Sequence, residues 1–284
     1  MVESLSAAAE HCQDPLAQGR THFLAGNIAL AMSQLSRAEE QTGLAVQLAR
    51  RTDDIVILRQ ALNDLGLTKQ LRGKFQDAIA LYNEAITLAR RLGHTTGELA
   101  TTVNTALLHI YAGEPRVAVR ICEEVLSGGA CQSDEGLAYT YYVLGMANHT
   151  LGDHRQAVAW FERCLSLCVA TRQHSREAYT RFRLADSLRE LRVLDRARAE
   201  AARAAELCEE AADHRNHGLA LMVLGNTLLD LGEARSACES LTKAHALFLR
   251  LDLPEAERTA QLLAAAGHPP VPAPRAATGG TADA

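Results

Sequence analysis

Two pairs of potential metal ligands occur at spacings that would place both members of a pair on one face of a helix. Cys164 and Cys168 are four residues apart, and His214 and His217 are three apart near an expected helix start. Such pairs could begin a zinc site, but neither is accompanied by the further ligands that a closed site needs. The cysteines are therefore interpreted as small buried residues and the histidines as solvent-facing, and no metal is expected.

The sequence contains no motif typical of catalysis or phosphate binding. Gly73-Lys74-Phe75 lacks the spaced glycines and the Ser or Thr of a phosphate-binding loop, and the 11 histidines are dispersed. No GxSxG or HExxH pattern occurs. The chain is therefore predicted to be no enzyme and to need no cofactor.

Composition restricts the partners. The net charge is −5, whereas nucleic-acid binding is driven by clustered positive charge. The one arginine-rich stretch, between residues 172 and 203, is interleaved with acidic residues and is expected to form solvated ion pairs, among them Asp186 with Arg183 and Arg189. No apolar run approaches the roughly 20 residues of a membrane helix, and no signal-peptide pattern is present. Neither nucleic acid nor a membrane is expected as a partner, and the predicted location is cytoplasmic, with the seven cysteines reduced.

The chain repeats itself about every 40 residues. Alanine occupies positions 38, 78, 118, 157, 197 and 237, and glycine occupies positions 26, 66, 145 and 225. A fixed period in this range indicates stacked copies of one small unit.

The second repeat predicts the structure of that unit. Leucines at helical spacing indicate a first helix over Ile55–Arg72, which Gly73 ends, and a second helix over Lys74–Leu92. The link is so short that the two helices must form an antiparallel hairpin. Glycine inside a helix costs about 1 kcal/mol relative to alanine, so Gly66 is expected to permit a close approach to Ala78 on the second helix.

Small and large residues recur at fixed offsets within each unit. The fourth repeat reads Tyr141-x2-Leu144-Gly145, then Gly152, then Ala157-x3-Phe161; the second reads Leu62-x2-Leu65-Gly66, Gly73, Ala78-x3-Tyr82. This pattern resembles the tetratricopeptide repeat family over about residues 15–253. The usual repeat is about 34 residues long, so helices of about 16 to 18 residues must absorb the difference. Versions of 40 residues resemble those of signalling adaptors and of the C-terminal sensor regions of bacterial transcription regulators. HEAT-type repeats share the period but would not require the glycine–alanine register.

The resemblance implies an all-α fold, a right-handed α-solenoid of six antiparallel helix hairpins with a C-terminal capping helix. Ser127-Gly128-Gly129 predicts an early helix end in the third repeat, followed by a loop to about Asp134. The expected segments are a partial helix of a preceding repeat or an N-terminal cap over 1–14, repeats over 15–54, 55–94, 95–133, 134–173, 174–213 and 214–253, a capping helix over 254–267 and a disordered tail over 268–284.

In tetratricopeptide arrays, fixed positions on the first helix of each hairpin line a concave groove. The register transfers this role to Tyr139, Tyr142, Met146, His149, Tyr179, Phe182, Arg183, Asp186, Arg189, Met222 and Asn226. Aromatic and arginine side chains are common anchors of binding surfaces, and Arg183 and Arg189 would suit a ligand with apolar and some acidic character. The alternative is that the rings pack between neighbouring first helices.

The resemblance favours a regulatory, non-catalytic scaffold whose groove recognises a protein or peptide segment or a small apolar ligand. Two alternatives remain open at this point. The chain could be a structural assembly adaptor that self-associates into a homo-oligomer, or an accessory factor of a biosynthetic enzyme.

Overall fold

The computed structural model describes residues 2–32, 34–93, 95–128, 133–251 and 253–267. Over these residues the chain forms fourteen α-helices and no strand, which confirms the predicted all-α fold. The predicted disordered tail, 268–284, and residues 129–132 of the predicted loop lie outside the described ranges. The helices are α1 (Val2–His11), α2 (Pro15–Ala31), α3 (Leu35–Arg51), α4 (Ile55–Leu71), α5 (Phe75–Arg91), α6 (Thr95–Tyr111), α7 (Pro115–Ser127), α8 (Asp134–Thr150), α9 (His154–Ala170), α10 (His174–Glu190), α11 (Leu194–Glu210), α12 (His214–Asp230), α13 (Ala234–Arg250) and α14 (Glu255–Ala265).

The chain divides into two compact units, Met1–Gly152 with α1 to α8 and Asp153–Ala284 with α9 to α14. The boundary falls between α8 and α9, inside the predicted fourth repeat. In unit 1, α2 packs against α3, α4 against α5 and α6 against α7; in unit 2, α10 packs against α11 and α12 against α13. The first helix of each predicted hairpin (α2, α4, α6, α8, α10, α12) is called an A helix and the second a B helix. Each unit is thus a stack of helical hairpins.

The helices end where short turns reverse the direction of the chain within a few residues. At the end of α4, the Lys74 amide donates to the Lys69 carbonyl and the Gly73 amide to the Gln70 carbonyl, each at 2.9 Å. Gly73 has a φ of +73°, the left-handed conformation that this helix-ending motif requires. The predicted helix end at Gly73 is confirmed, and α4 and α5 lie within one residue of their predicted bounds.

Gly66 faces its partner helix as predicted, and the nearest atoms that a Cβ there would meet belong to Tyr82, one turn after Ala78. A Cβ added at Gly66 would lie 2.7 Å from Cε1 of Tyr82. The same relation holds in other hairpins: a Cβ at Gly26 would lie 2.5 Å from Cγ2 of Thr42, and one at Gly225 2.6 Å from Cγ of Leu241. Helical side chains lean toward the N-terminus of their helix. The residue one turn after the recurring alanine of each B helix therefore covers the glycine.

The third repeat and the end of the chain differ from the regular hairpins. Helix α7 has 13 residues and ends at Ser127, which confirms the predicted early end. Helix α14 begins after Pro254 and packs against α13. Its Leu263 is buried in the same apolar cluster as Leu241 and Phe248, so α14 covers the apolar side of the last hairpin.

Candidate partner-binding face

The predicted groove residues lie on three A helices that belong to different units, so each unit is described by itself. Helix α8 of unit 1 carries Tyr139, Tyr142, Met146 and His149; in unit 2, α10 carries Tyr179, Phe182, Arg183, Asp186 and Arg189, and α12 carries Met222 and Asn226. In unit 2, α10 packs against α12, which brings these seven residues onto neighbouring helices. We call these seven residues the A-face of unit 2.

In unit 1, polar side chains bond from one A helix to the next. The Tyr139 hydroxyl on α8 donates to Oδ1 of Asn104 on α6 at 2.7 Å. The Thr101 hydroxyl on α6 in turn donates to Oδ1 of Asn63 on α4 at 3.3 Å. Tyr139 therefore helps to set the spacing of α6 and α8.

Four of the predicted groove side chains are buried. Tyr142 and Met146 of unit 1 are 9% and 5% exposed, and Phe182 and Met222 of unit 2 are 3% and 7% exposed. Phe182 and Met222 belong to one apolar cluster, against which the half-buried Tyr179 packs. Such side chains offer little surface to a partner, so their burial favours the alternative that they pack between helices.

Arg189 is surrounded by carboxylates that neutralise its charge. Its guanidinium lies 3.1 Å from Oδ2 of Asp230 on α12 and 3.4 Å from Oδ1 of Asp186, and it also pairs with Glu190. Burial opposes the charge on Arg189, but Asp186, Asp230 and Glu190 outweigh it and raise its pKa. These ion pairs make Arg189 a link between α10 and α12, and its expected role as an anchor for an acidic ligand stays a prediction.

Asp230 is the residue of this network that sequence reasoning missed. It follows Arg189 by about one repeat, and its carboxylate also lies 2.9 Å from Nη1 of Arg192. Burial tends to raise the pKa of Asp230, but Arg189 and Arg192 outweigh that effect and lower it. The 40-residue period was the signal that could have found this pair, because residues one period apart lie on adjacent A helices.

Arg183 differs from its neighbours on α10. The expected pair with Asp186 does not form, and Arg183 makes no ion pair or hydrogen bond with any described residue. Its Nε is buried without an acceptor, and its guanidinium carbon lies 5.2 Å from the centre of the Phe182 ring. The Arg183 side chain as a whole is only half-buried, so it remains within reach of a bound molecule.

The two pairs of potential metal ligands have simple structural surroundings. Cys164 and Cys168 are fully buried, with their sulfurs 3.7 Å apart and the Cys164 sulfur 3.5 Å from the Thr180 hydroxyl. His214 and His217 lie in the first turn of α12, where burial lowers the pKa of His217. Within the described ranges, no three His, Cys, Asp or Glu side chains are grouped so that they could hold a metal ion.

None of the described helices has both the length and the apolar character needed to cross a bilayer.

Sequence comparison places the repeats in a known family. Two tetratricopeptide repeat profiles match residues 57–128 and 138–168. The regulatory protein AfsR of Streptomyces griseus is 29% identical over 272 residues, which cover 94% of this chain and 26% of that protein. AfsR of Streptomyces coelicolor is 27% identical over 138 residues, which cover 47% of this chain and 14% of that protein. The chain thus spans about a quarter of the length of the first of these relatives.

Solved structures share the fold at low sequence identity. The apo form of the quorum sensor NprR from B. thuringiensis has a TM-score of 0.68 at 14% identity, over 94% of this chain and 81% of that one. A Rap protein complexed with competence and sporulation factor has a TM-score of 0.68 at 12% identity, over 94% and 79%. A signal transduction ATPase with a tetratricopeptide repeat sensor, from Pyrococcus horikoshii, has a TM-score of 0.68 at 13% identity, over 90% and 41%. Residues 57–128 and 138–168 of this chain therefore match the tetratricopeptide repeat family, and each compact unit is an all-α stack of helical hairpins.

Proposed function

We propose that this chain is a non-catalytic binding module of a regulatory protein and that it recognises a peptide or protein segment on its A helices. The similarity to AfsR, a regulatory protein, extends along nearly the whole chain. The quorum sensor NprR and the Rap protein complexed with competence and sporulation factor share its fold. These likenesses support a regulatory setting, and the choice of surface rests on the side chains.

The observation that carries the proposal is that two polar side chains on the A-face of unit 2 are left without a partner by the fold. On the B helices, Arg196 pairs with Glu162 at 2.6 Å and Arg198 with Glu233 at 3.0 Å. On the A-face of unit 2, the side chains of Arg183 and Asn226 have no hydrogen-bond partner among the described residues. Donors that the fold leaves unused can be satisfied by a bound chain, which supports the A-face as a binding surface.

The burial of the apolar side chains of the A-face also favours one kind of ligand, a peptide, over another, a small apolar molecule. Phe182 and Met222 are buried in the core of unit 2, so the A-face exposes little continuous apolar surface. A small apolar ligand would depend on such surface, whereas a peptide brings its own hydrogen-bonding groups. The side chains of the A-face therefore favour a peptide or protein segment.

A peptide selection with matched variants tests this proposal. The purified chain is exposed to a synthetic library of random nonapeptides, and dissociation constants of selected peptides are measured by calorimetry. Asn226→Ala and Tyr179→Ala are expected to weaken binding several-fold, because they remove a polar and an aromatic contact. Glu239→Ala on α13, which is exposed and pairs with Arg235 in the preceding turn, serves as the control and should leave binding unchanged. Failure to select any peptide that binds saturably, or equal loss with the control, would contradict the proposal.

A further inference from the structure

The arginines of α10 differ in how the protein neutralises them. Arg181 lies 2.8 Å from a carboxylate oxygen of Glu177 and 2.6 Å from one of Glu200. Arg189 is held by three carboxylates, as described above. Arg183 lies between them along the helix and has neither an ion pair nor a hydrogen bond among the described residues. It is therefore a positive charge that unit 2 places on its A-face without a counter-charge.

The acidic residues of α11 and α12, which pack against α10, either pair with other arginines or are exposed at a helix end. Helix α12 carries one acidic residue, Asp230, which pairs with Arg189 and Arg192. On α11, Glu200 is held by Arg181, and Glu206 lies 2.9 Å from Arg203. The acidic residues that remain on α11 lie at its two ends, where Asp195 pairs with Arg198 and Glu209 and Glu210 are exposed. On α9, which also packs against α10, the one acidic residue is Glu162, which pairs with Arg196. No described carboxylate of unit 2 therefore forms an ion pair with Arg183.

The surroundings of Arg183 also favour a defined orientation of its guanidinium. The group lies against the Phe182 ring, and its Nε–H is buried without an acceptor. An N–H that is removed from water and left unpaired is unfavourable, and the part of the side chain that remains exposed is available to an acceptor on a bound chain. A carboxylate matches the planar fork of a guanidinium and can accept two hydrogen bonds from it at once.

We infer that Arg183 is a carboxylate-recognition site, which binds an Asp or Glu side chain of an acidic peptide segment lying on the A-face of unit 2. This inference rests on the proposed function and adds the chemistry of the partner to it. Tyr179 and Asn226, which belong to the same face and are only half-buried, would contact the residues that flank the acidic side chain.

The test repeats the nonapeptide selection with all peptides amidated at the C-terminus, so that side chains supply the only carboxylates. Asp or Glu is expected to be enriched at one position with the unaltered chain. Replacing that residue by Asn or Gln should weaken binding about tenfold or more, the size expected for hydrogen bonds between charged groups. Arg183→Gln should abolish the difference between the acidic and the amide peptide.

Two further variants control for charge and geometry. Arg235→Gln makes the same change in net charge at an exposed site on α13 and should retain the acidic preference. Arg183→Lys keeps the charge but loses the planar fork of the guanidinium, so it should retain only part of the preference for the acidic peptide over the amide peptide. Thermal melting of each variant checks that it is folded.

The outcomes separate this inference from the proposed function. Peptides selected without acidic enrichment, or an acidic preference that survives in Arg183→Gln, would overturn the carboxylate site and leave peptide binding intact. If no peptide is selected at all, the proposed function fails and the carboxylate site fails with it.

Discussion

Nη1 of Arg189 lies 3.1 Å from Oδ2 of Asp230, and this ion pair joins two A helices one repeat apart. The other Asp230 oxygen accepts a hydrogen bond from Arg192, so a single carboxylate forms ion pairs with two arginines of the preceding repeat. A comparable link joins successive B helices in unit 1, where Arg50 lies 2.7 Å from Glu84. Interactions between neighbouring repeats in each unit therefore include ion pairs as well as apolar packing.

Replacing Asp230 by Asn should lower the free energy of unfolding by about 1 kcal/mol, because both arginines are partly exposed and water screens their charge. Unfolding can be followed in denaturant by the fluorescence of Trp160, the chain's one tryptophan, which lies on α9 of unit 2. Asp195→Asn is the matched control, since Asp195 is 88% exposed and pairs only within its own helix. An equal effect of the two substitutions would mean that the link between repeats contributes nothing.

Stability should also fall in acid through the carboxylates that arginine and lysine hold. The hydrogen bond from Lys69 and the neighbouring Arg72 lower the pKa of Glu39, and Arg189 and Arg192 lower that of Asp230 against the effect of burial. A carboxyl whose pKa is lowered by folding stabilises the protein above its ordinary pKa, near 4, and this contribution is lost as the pH falls through the lowered value. Melting temperatures should therefore decline below about pH 4. The decline should be shallower for Asp230→Asn, and parallel curves for the two proteins would contradict this assignment.

Gly66→Ala should destabilise the protein by about 1–3 kcal/mol, because the new methyl group would overlap a fixed ring. Its Cβ would lie 2.7 Å from Cε1 and 2.8 Å from Cδ1 of Tyr82, whose side chain is fully buried. Gly43→Ala is the control, since a Cβ at this position in α3 meets no atom within 4 Å. It should stabilise the protein by about 0.5–1 kcal/mol through helix propensity alone. Chemical denaturation measures both, and a neutral Gly66→Ala would disprove the close approach.

Ala212→Gly should stabilise the protein by about 1 kcal/mol. Ala212 has a φ of +53° in the turn between α11 and α12, a conformation in which the alanine methyl group is strained and glycine is not. The neighbouring Ala211 has a φ of −83°, and Ala211→Gly should not stabilise. The reverse change at Gly232, where φ is +80°, should cost a similar amount. Melting curves of the three variants would show whether the turn strain is real.

Phe182→Ala should destabilise the protein by about 3–5 kcal/mol, the range for truncating a buried aromatic ring. Phe182 is 3% exposed and lies in the cluster that contains Leu221 and Met222. Asn226→Ala on the same face should change stability by less than about 0.5 kcal/mol. Calorimetric unfolding distinguishes the two effects. If Phe182→Ala were nearly neutral for stability, Phe182 would belong to an exposed binding surface and not to the core.

The sequence predicts the hairpins well because their determinants are local. Leucine spacing and Gly73 place the ends of α4 and α5 to within one residue, and the glycine pair after Ser127 indicates the early end of α7. The sequence register does not identify Tyr82 as the side chain nearest to Gly66, because helical side chains lean toward the preceding turn and a register of Cα positions does not include that lean. The candidate site depends on contacts between repeats. Composition alone cannot show that Arg189 is neutralised by Asp230 while Arg183 is not.

The most direct measurement of partner binding is hydrogen exchange of the whole chain with and without a selected nonapeptide. The A helices of unit 2 should gain protection, with the largest change in α10 around Arg183 and in α12 around Asn226. The B helices α11 and α13 should change little, because none of the A-face residues lies on them. Protection confined to α11 and α13, or an unchanged exchange pattern at saturating peptide, would contradict recognition on the A helices.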